Sequence, residues 1–144
     1  MPRILALLIA LPAAAALAQS LPVIELRAGM HLIHAEVAAD FSTRGRGLMH
    51  RKGLAPNSGM LFIFDAPAEH CMWMKNTYIP LSVAFVDAQG TIINIPDMQP
   101  HSEQTHCSTR PALYALEMTQ GWFAERGIKP GMKLGGLDQA GPRR

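Results

Sequence analysis

The sequence predicts an α+β domain that is mainly antiparallel β, a small barrel-like sheet accompanied by two short helices. Short apolar runs of strand length recur along the chain, separated by turn-forming residues such as those at 56–59 and 87–90. Two segments, near 44–51 and 119–127, instead combine a capping residue with a composition that permits a helical turn or two. This mixture of many strands and few helices is typical of a small barrel.

The first elements are predicted to be a hairpin and a helix. Residues 23–27 and 30–37 carry the apolar pattern of paired strands, and Gly29 lies between them. Glycine tolerates the positive φ that a tight turn needs. Ser42 can cap a short helix over residues 44–51.

The middle of the chain is predicted to supply most of the sheet. Residues 60–64 form a compact apolar run that fits a buried strand, and a further strand is expected over 71–77. Residues 81–86 and 91–95 flank a turn sequence and predict a second hairpin. The polar segment 96–108 is predicted to be a surface loop.

The last part of the chain completes one domain over residues 19–137. Residues 112–118 are apolar enough for a strand, and Thr119 can cap a second short helix. A final strand is expected over 132–137, followed by a flexible tail over 138–144.

Residues 1–18 have the pattern of an export signal. Arg3 precedes an apolar run over 4–17, and the segment ends in the small-x-small sequence that closes at Ala18. An uncleaved anchor is the alternative, but the run is shorter than the roughly 20 residues of a spanning helix, and Pro12 interrupts it. We therefore expect a periplasmic or secreted protein with no membrane span after cleavage.

The charge balance limits the class of partner. The chain has 13 Lys and Arg against 11 Asp and Glu, and removal of Arg3 with the signal leaves 12 against 11. Nucleic-acid binding requires a basic face, so a near-neutral chain argues against it. We expect a monomer whose partner is a small molecule or a component of the cell envelope.

The two cysteines, Cys71 and Cys107, are predicted to form a disulfide bond. An exported chain meets an oxidising compartment, in which one pair has one intramolecular bond to form. Metal ligation and free thiols are the alternatives.

Several separated motifs resemble the DUF192 family. The resemblance implies a compact β-rich domain that is frequently exported and has no assigned biochemical role. One departure is Ser82, where similar sequences usually carry an aspartate. The motifs lie at residues 46–51, 59–64, 73–81, 85–87, 115–117 and 121–123.

Polar side chains inside these motifs are candidates for a pocket that binds an anion or another small molecule. In one interpretation Arg51 and Lys75 hold a carboxylate or phosphate. In the other, Arg51 or Lys75 pairs with Glu117 or Asp87 of the fold itself. We expect Arg51, Lys75 and Glu117 to lie close together, because their motifs flank strands that should be neighbours in a small barrel. The candidates are Arg46, Arg51, Lys75, Asn76, Thr77, Asp87 and Glu117.

A metal site is the alternative function. Two His-Cys dipeptides, at 70–71 and 106–107, together hold ligands that suit zinc or copper. Nearby methionines add thioether ligands for Cu(I). No cofactor is otherwise expected. The ligand candidates beside the cysteines are His70, Met72, Met74 and His106.

Catalysis has little support in the sequence. It contains no Gly-x-Ser-x-Gly, no His-Glu-x-x-His and no phosphate-cradling glycine loop. An unrecognised hydrolase or transferase is a further alternative. A binding or accessory module of the cell envelope is the favoured interpretation.

Overall fold

A computed structural model describes residues 20–141 of the protein. The predicted export signal at 1–18 and the last residues of the predicted tail, 142–144, lie outside the described residues. The strands are β1 (Val23–Ala28), β2 (His31–Ala38), β3 (Ser58–Ala68), β4 (Cys71–Met72), β5 (Leu81–Val86), β6 (Ile92–Asn94), β7 (Asp97–Met98), β8 (His106–Cys107), β9 (Ala112–Thr119) and β10 (Leu134–Gly135). The helices are α1 (Phe41–Arg46), α2 (Trp122–Glu125) and a 3₁₀ turn (Leu137–Ala140).

One mainly antiparallel sheet is nearly closed into a barrel. Its strand order is β10-β1-β2-β3-β9-β5-β6, with β7 also paired to β5. The pair β2–β3 is parallel. The two ends of the sheet meet where the Ile92 amide donates to the Met132 carbonyl at 2.9 Å and the Leu134 amide donates to the Gly90 carbonyl at 2.8 Å. The predicted fold class is confirmed.

The central strands β5 and β9 and the first half of β3 are buried on both faces. The inner face fills the barrel with a cluster that includes Leu116 and Met118. Alternate residues on the outer face, such as Ala115, join a second cluster. Leu48, which follows α1, and Met74 and Ile79 of the irregular segment 73–80 belong to this cluster and cover the central strands. Burial on both sides explains why these strands are continuous apolar runs.

The two predicted hairpins and the strand near 112–118 are confirmed. β1 and β2 pair along their length around Gly29, whose φ is 59°. In the turn between β5 and β6, the Asp87 carboxylate accepts hydrogen bonds from the amides of Gln89 and Thr91, both at 2.9 Å. The side chain therefore fixes the turn by satisfying two backbone donors.

Both helices begin at residues other than the predicted ones. Asp40 rather than Ser42 caps α1, since its carboxylate accepts from the Thr43 amide at 2.8 Å and Thr43 bonds back to the Asp40 amide. α1 therefore spans Phe41–Arg46 rather than 44–51, and Gly47 ends it at a φ of 48°. The cap of α2 is Gly121 instead of Thr119.

The predicted strand over 71–77 is wrong beyond its first two residues. After β4, the Met74 amide donates to the Ser102 carbonyl at 2.9 Å, and Asn76 takes a positive φ of 52°. Because of these contacts, segment 73–80 does not continue β4 and packs in the outer layer.

The end of the chain and the polar segment also differ from expectation. The predicted loop 96–108 contains two short strands, β7 and β8. The last strand is confined to Leu134–Gly135, because the chain then turns at Gly136 with a φ of 90°. The 3₁₀ turn that follows is held by Gln139, whose side-chain amide donates to the Glu25 carbonyl at 2.9 Å.

The predicted disulfide is confirmed. Cys71 and Cys107 face each other across the two-stranded β4–β8 sheet, with 4.0 Å between their Cα atoms. The bond ties the start of segment 73–80 to the end of the polar segment. Within residues 20–141, neither helix is long and apolar enough to cross a membrane.

Removal of the disulfide should lower the free energy of unfolding. The cysteines are 36 residues apart, and closing such a loop restricts the unfolded chain by about 4 kcal/mol in the chain-entropy model. We expect the double variant Cys71→Ala, Cys107→Ala to lose up to that amount in urea unfolding, and the wild type to match it only with reductant present. Equal stability of the wild type with and without reductant would contradict this role.

Candidate functional site

A cavity of about 270 Å³ lies against the outer face of the central strands. It opens between α1 with the residues that follow it on one side and β4 with segment 73–80 on the other, over β3 and β9. Half of its lining residues are aromatic or aliphatic, with the two methionines included. The lining residues are Phe41, Arg44, Gly45, Arg46, Gly47, Leu48, Met49, Phe62, Phe64, Cys71, Met72, Trp73, Thr77 and Glu117.

Glu117 lies on β9 in the middle of the sheet. Its neighbours on the adjoining strands are Met60 of β3 and Val83 of β5, both of which belong to the outer apolar cluster. Strand alternation directs Glu117 to the same face, since Leu116 and Met118 fill the barrel interior. The outer face of the sheet therefore presents a carboxyl group where the pattern calls for an apolar residue.

The Glu117 side chain is buried without a partner. It is 4% exposed and is the only charged residue among the buried residues of 20–141. Within that range no ion pair reaches its carboxyl. Burial disfavours the ionised form and raises the pKa of Glu117 to about 8. The carboxyl group is therefore mainly a neutral hydrogen-bond donor at neutral pH.

Close packing of β3 on β9 fixes the position of this carboxyl. Gly59 of β3 lies opposite Met118, and a Cβ atom at Gly59 would collide with the Glu117 carbonyl oxygen and the Met118 sulfur. Glycine is therefore required at Gly59 for the two strands to approach.

Aromatic side chains form the walls of the cavity. Phe62 is 1% exposed, whereas Phe41 and Trp73 near the opening are 89% and 44% exposed. Phe64 stacks on the His70 ring with 3.7 Å between the ring centroids. At Trp73, the Lys75 ammonium lies 5.3 Å from the ring centroid. The lining of the cavity thus combines aromatic side chains with one carboxyl group.

Two arginines line the cavity on the α1 side, and they differ in their contacts. The Arg44 guanidinium donates to the Ile63 carbonyl at 2.9 Å and pairs with Asp65 at 3.2 Å. Arg46 is exposed and forms no ion pair with any residue in 20–141. Arg44 holds α1 against β3, and Arg46 is a solvated charge at the rim.

Three of the seven candidate residues line this one cavity. They are Arg46, Thr77 and Glu117. Thr77 is 5% exposed, and its hydroxyl donates to the Lys75 carbonyl at 3.1 Å. Whether these residues bind a ligand stays a prediction.

The expected cluster of Arg51, Lys75 and Glu117 is wrong. Arg51 pairs with Glu36 at 3.0 Å and lines a different cleft, beside β2. Lys75 turns its ammonium to Trp73. Arg51 does find a carboxylate of the fold, as the second interpretation expected, but the partner is Glu36, which sequence reasoning missed.

The other two candidates fix local backbone structure. Asn76 lies in a turn, and its carbonyl accepts from the His50 amide at 2.9 Å. Asp87 is committed to the amides of the β5–β6 turn. Neither residue lines the cavity that holds Glu117.

The residues proposed as alternative metal ligands make other contacts in this structure. Cys71 and Cys107 are bonded to each other, so neither sulfur is a thiolate in this state. His70 Nε2 contacts the Ala66 carbonyl at 2.9 Å, and Met74 is fully buried in the outer cluster. Met72 and His106 are paired across β4 and β8. Copper or zinc binding stays an untested prediction.

Sequence reasoning missed the apolar lining. The apolar pattern predicts a buried strand over residues 60–64, which include Phe62, and it gives no role to Phe41. Phe41 begins a helix whose first residue is set by Asp40, so correct placement of that cap would have put an aromatic ring beside the cavity. The polar motif residues alone did not indicate that the site is mainly apolar.

Comparisons with known proteins agree on the family of the fold. The sequence model of the DUF192 family, described as "Uncharacterized ACR", matches residues 23–136. A crystal structure from Sinorhizobium meliloti 1021, described as a candidate transcription regulator, is similar at 39% identity and a TM-score of 0.74, covering 80% of this chain and 92% of the other. A protein of unknown function from Novosphingobium aromaticivorans DSM 12444 is similar at 32% identity and a TM-score of 0.77, covering 87% and 92%. No curated protein matches the chain.

Ionisation of Glu117 should make stability depend on pH. Its pKa is about 8 in the folded chain against an ordinary value of 4.5. Between these values the folded chain retains a proton that the unfolded chain has released, so the contribution to stability is complete below the lower value and is lost as pH rises to the upper one. Relative to the wild type, Glu117→Gln should gain stability across this range, on the order of 5 kcal/mol in total.

Urea unfolding of both proteins across that pH range measures the difference. Glu103→Gln is the matched control, because Glu103 is exposed and its substitution should leave the pH dependence unchanged. Parallel curves for the wild type and Glu117→Gln would show that Glu117 does not titrate from a buried position.

Proposed function

The chain belongs to the DUF192 family, and we propose that it is an exported binding module that holds a small, largely apolar molecule in the cavity above Glu117. The proposal rests on the buried Glu117 carboxyl group, which has no ion-pair partner within residues 20–141 and lies at an aromatic-lined cavity. Burial of such a group is unfavourable unless a hydrogen-bonding or charged partner compensates it. A bound ligand would supply the partner that the described residues do not.

The cavity has the composition of a small-molecule site. Such sites are concave and mainly apolar, with a few polar groups that orient the ligand. Here the apolar walls include Leu48, Phe62 and Trp73, while Thr77 and Glu117 are the buried polar residues in the lining. The volume of about 270 Å³ suits a single-ring or short-chain molecule. This replaces the polar, anion-binding pocket expected from the motif residues.

The lining favours binding over catalysis. Covalent or acid–base catalysis generally requires a second functional group near the acid. In the described chain, Cys71 is oxidised, Thr77 donates to a backbone carbonyl, and the remaining lining beside Glu117 and the two arginines is apolar or glycine. In these surroundings Glu117 can orient a ligand, but the described lining offers no second group for acid–base or covalent catalysis.

Export is part of the proposal. The signal-like residues 1–18 predict it, and the Cys71–Cys107 disulfide is compatible with an oxidising compartment. A nucleic-acid role, as the description of the Sinorhizobium relative would suggest, requires a basic face. The chain has 13 basic against 11 acidic residues, so we favour a small-molecule or envelope ligand.

Filling the cavity should abolish binding without unfolding the protein. Gly45 lines the cavity, and a Cβ atom placed there has no other atom within 4 Å. Gly45→Trp should therefore occupy the space at little cost to the fold. With the neutral probe 2-phenylethanol, we expect isothermal titration calorimetry to show binding by the wild type and at least about tenfold weaker binding by Gly45→Trp, a difference of about 1.4 kcal/mol.

Gly45→Ala is the matched control, since it changes the same backbone position without filling the cavity. It should bind the probe as the wild type does. Absence of probe binding by the wild type, or equal binding by Gly45→Trp, would contradict the proposed site. Urea unfolding of each variant checks that the fold is retained.

A further inference from the structure

We propose that the ligand of this cavity is an organic cation, a small alkyl- or arylammonium whose nitrogen pairs with the Glu117 carboxylate. The inference rests on the proposed binding function and assigns the chemical class of the ligand. It follows from three features of the described residues: the lack of a partner for Glu117, the distribution of positive charge in the cavity, and the aromatic walls.

The surroundings of Glu117 leave its acceptor capacity unused. Its cross-strand neighbours Met60 and Val83 are apolar and fully buried. The Thr77 hydroxyl in the same cavity donates to the Lys75 carbonyl. A ligand ammonium can supply both a charge and hydrogen-bond donors to a carboxylate in these apolar surroundings, where such pairing is stronger than in water.

The two arginines that line the cavity do not pair with the Glu117 carboxyl group. The charged residues that line it with Glu117 are Arg44 and Arg46, both on α1, whereas β3 and segment 73–80 contribute uncharged side chains to the lining. Arg44 is committed to Asp65 and to the Ile63 and Ala39 carbonyls. Arg46 lies exposed at the rim. Among residues 20–141, neither arginine forms an ion pair with Glu117, so its carboxyl group has no basic partner there.

The aromatic walls suit a cation. Phe62, Phe64 and Trp73 line the cavity, and the faces of aromatic rings attract ammonium groups. The protein itself illustrates this at the opening, where the Lys75 ammonium lies 5.3 Å from the centroid of the Trp73 ring. An anionic ligand would meet these same π faces and the Glu117 carboxyl unfavourably. The combination of rings and one carboxyl group is typical of amine recognition.

Binding of a cation must be linked to a proton. Burial raises the pKa of Glu117 to about 8, so below that pH the carboxyl must lose its proton when the ammonium arrives. The affinity for an ammonium should rise with pH, by up to about tenfold per unit, until Glu117 is ionised. A neutral ligand that accepts a hydrogen bond from the protonated acid should instead weaken as pH rises through the same value.

The test compares 2-phenylethylamine with 2-phenylethanol, which differ in charge and have nearly the same shape. We expect the amine to bind the wild type more tightly at the pKa of Glu117 and above, with affinity increasing up to that pH. Glu117→Gln should weaken amine binding by roughly 30-fold, as expected for loss of a buried charge partner. Its affinity for the alcohol should change by less than about threefold, because glutamine retains a hydrogen-bond donor. Glu103→Gln should leave both affinities unchanged.

The outcomes separate this inference from the proposed function. If the alcohol binds, and the amine binds no more tightly and shows no increase with pH, the ligand is not a cation although the cavity is a binding site. Amine binding that Glu117→Gln leaves unchanged would overturn the assigned contact. If neither probe binds the wild type, the proposed function itself fails. The pH profile needs only the wild type, so it remains decisive should the variant not fold.

Discussion

Burial of β9 on both faces is the constraint on which the rest of the structure depends. The strand pairs with β3 and β5, fills the barrel with Leu116 and Met118, and contributes Ala115 to the outer cluster. Side chains on a strand that is buried on both faces have little contact with water. Glu117 is placed there, so the sheet that stabilises the domain also imposes a neutral carboxyl group on the adjoining cavity. The strand β9 thus determines both the packing of the domain and the protonation of Glu117 at the candidate site.

The cavity exists because the layer over β9 is irregular. Segment 73–80 departs from strand geometry at Met74 and Asn76, and it supplies Trp73 and Thr77 to the lining instead of covering β9 completely. The disulfide at Cys71 fixes the start of this segment. On the opposite side, the Arg44–Asp65 pair holds α1 over β3. The walls are thus held by a covalent bond and an ion pair while the space between them stays open.

Sequence patterns predicted what depends on local alternation and missed what depends on long-range contacts. The β5–β6 hairpin follows from an apolar run that ends in Asp87 and a turn, both local signals. The pairing of Arg51 with Glu36 depends instead on the parallel β2–β3 arrangement, for which the sequence holds no local signal. For Glu117, the motif indicated a polar candidate. Its burial could not be predicted, because that requires the outer layer contributed by distant segments.

The central claim is that Glu117 is a neutral acid in a ligand-accessible cavity. A ¹³C NMR titration of the Glu117 side-chain carboxyl, alone and with saturating 2-phenylethylamine, tests it most directly. In the free protein we expect a midpoint near the pKa of about 8. The amine should shift that midpoint downward, because it stabilises the ionised form. A midpoint near the ordinary value of 4.5, unchanged by the amine, would contradict the account.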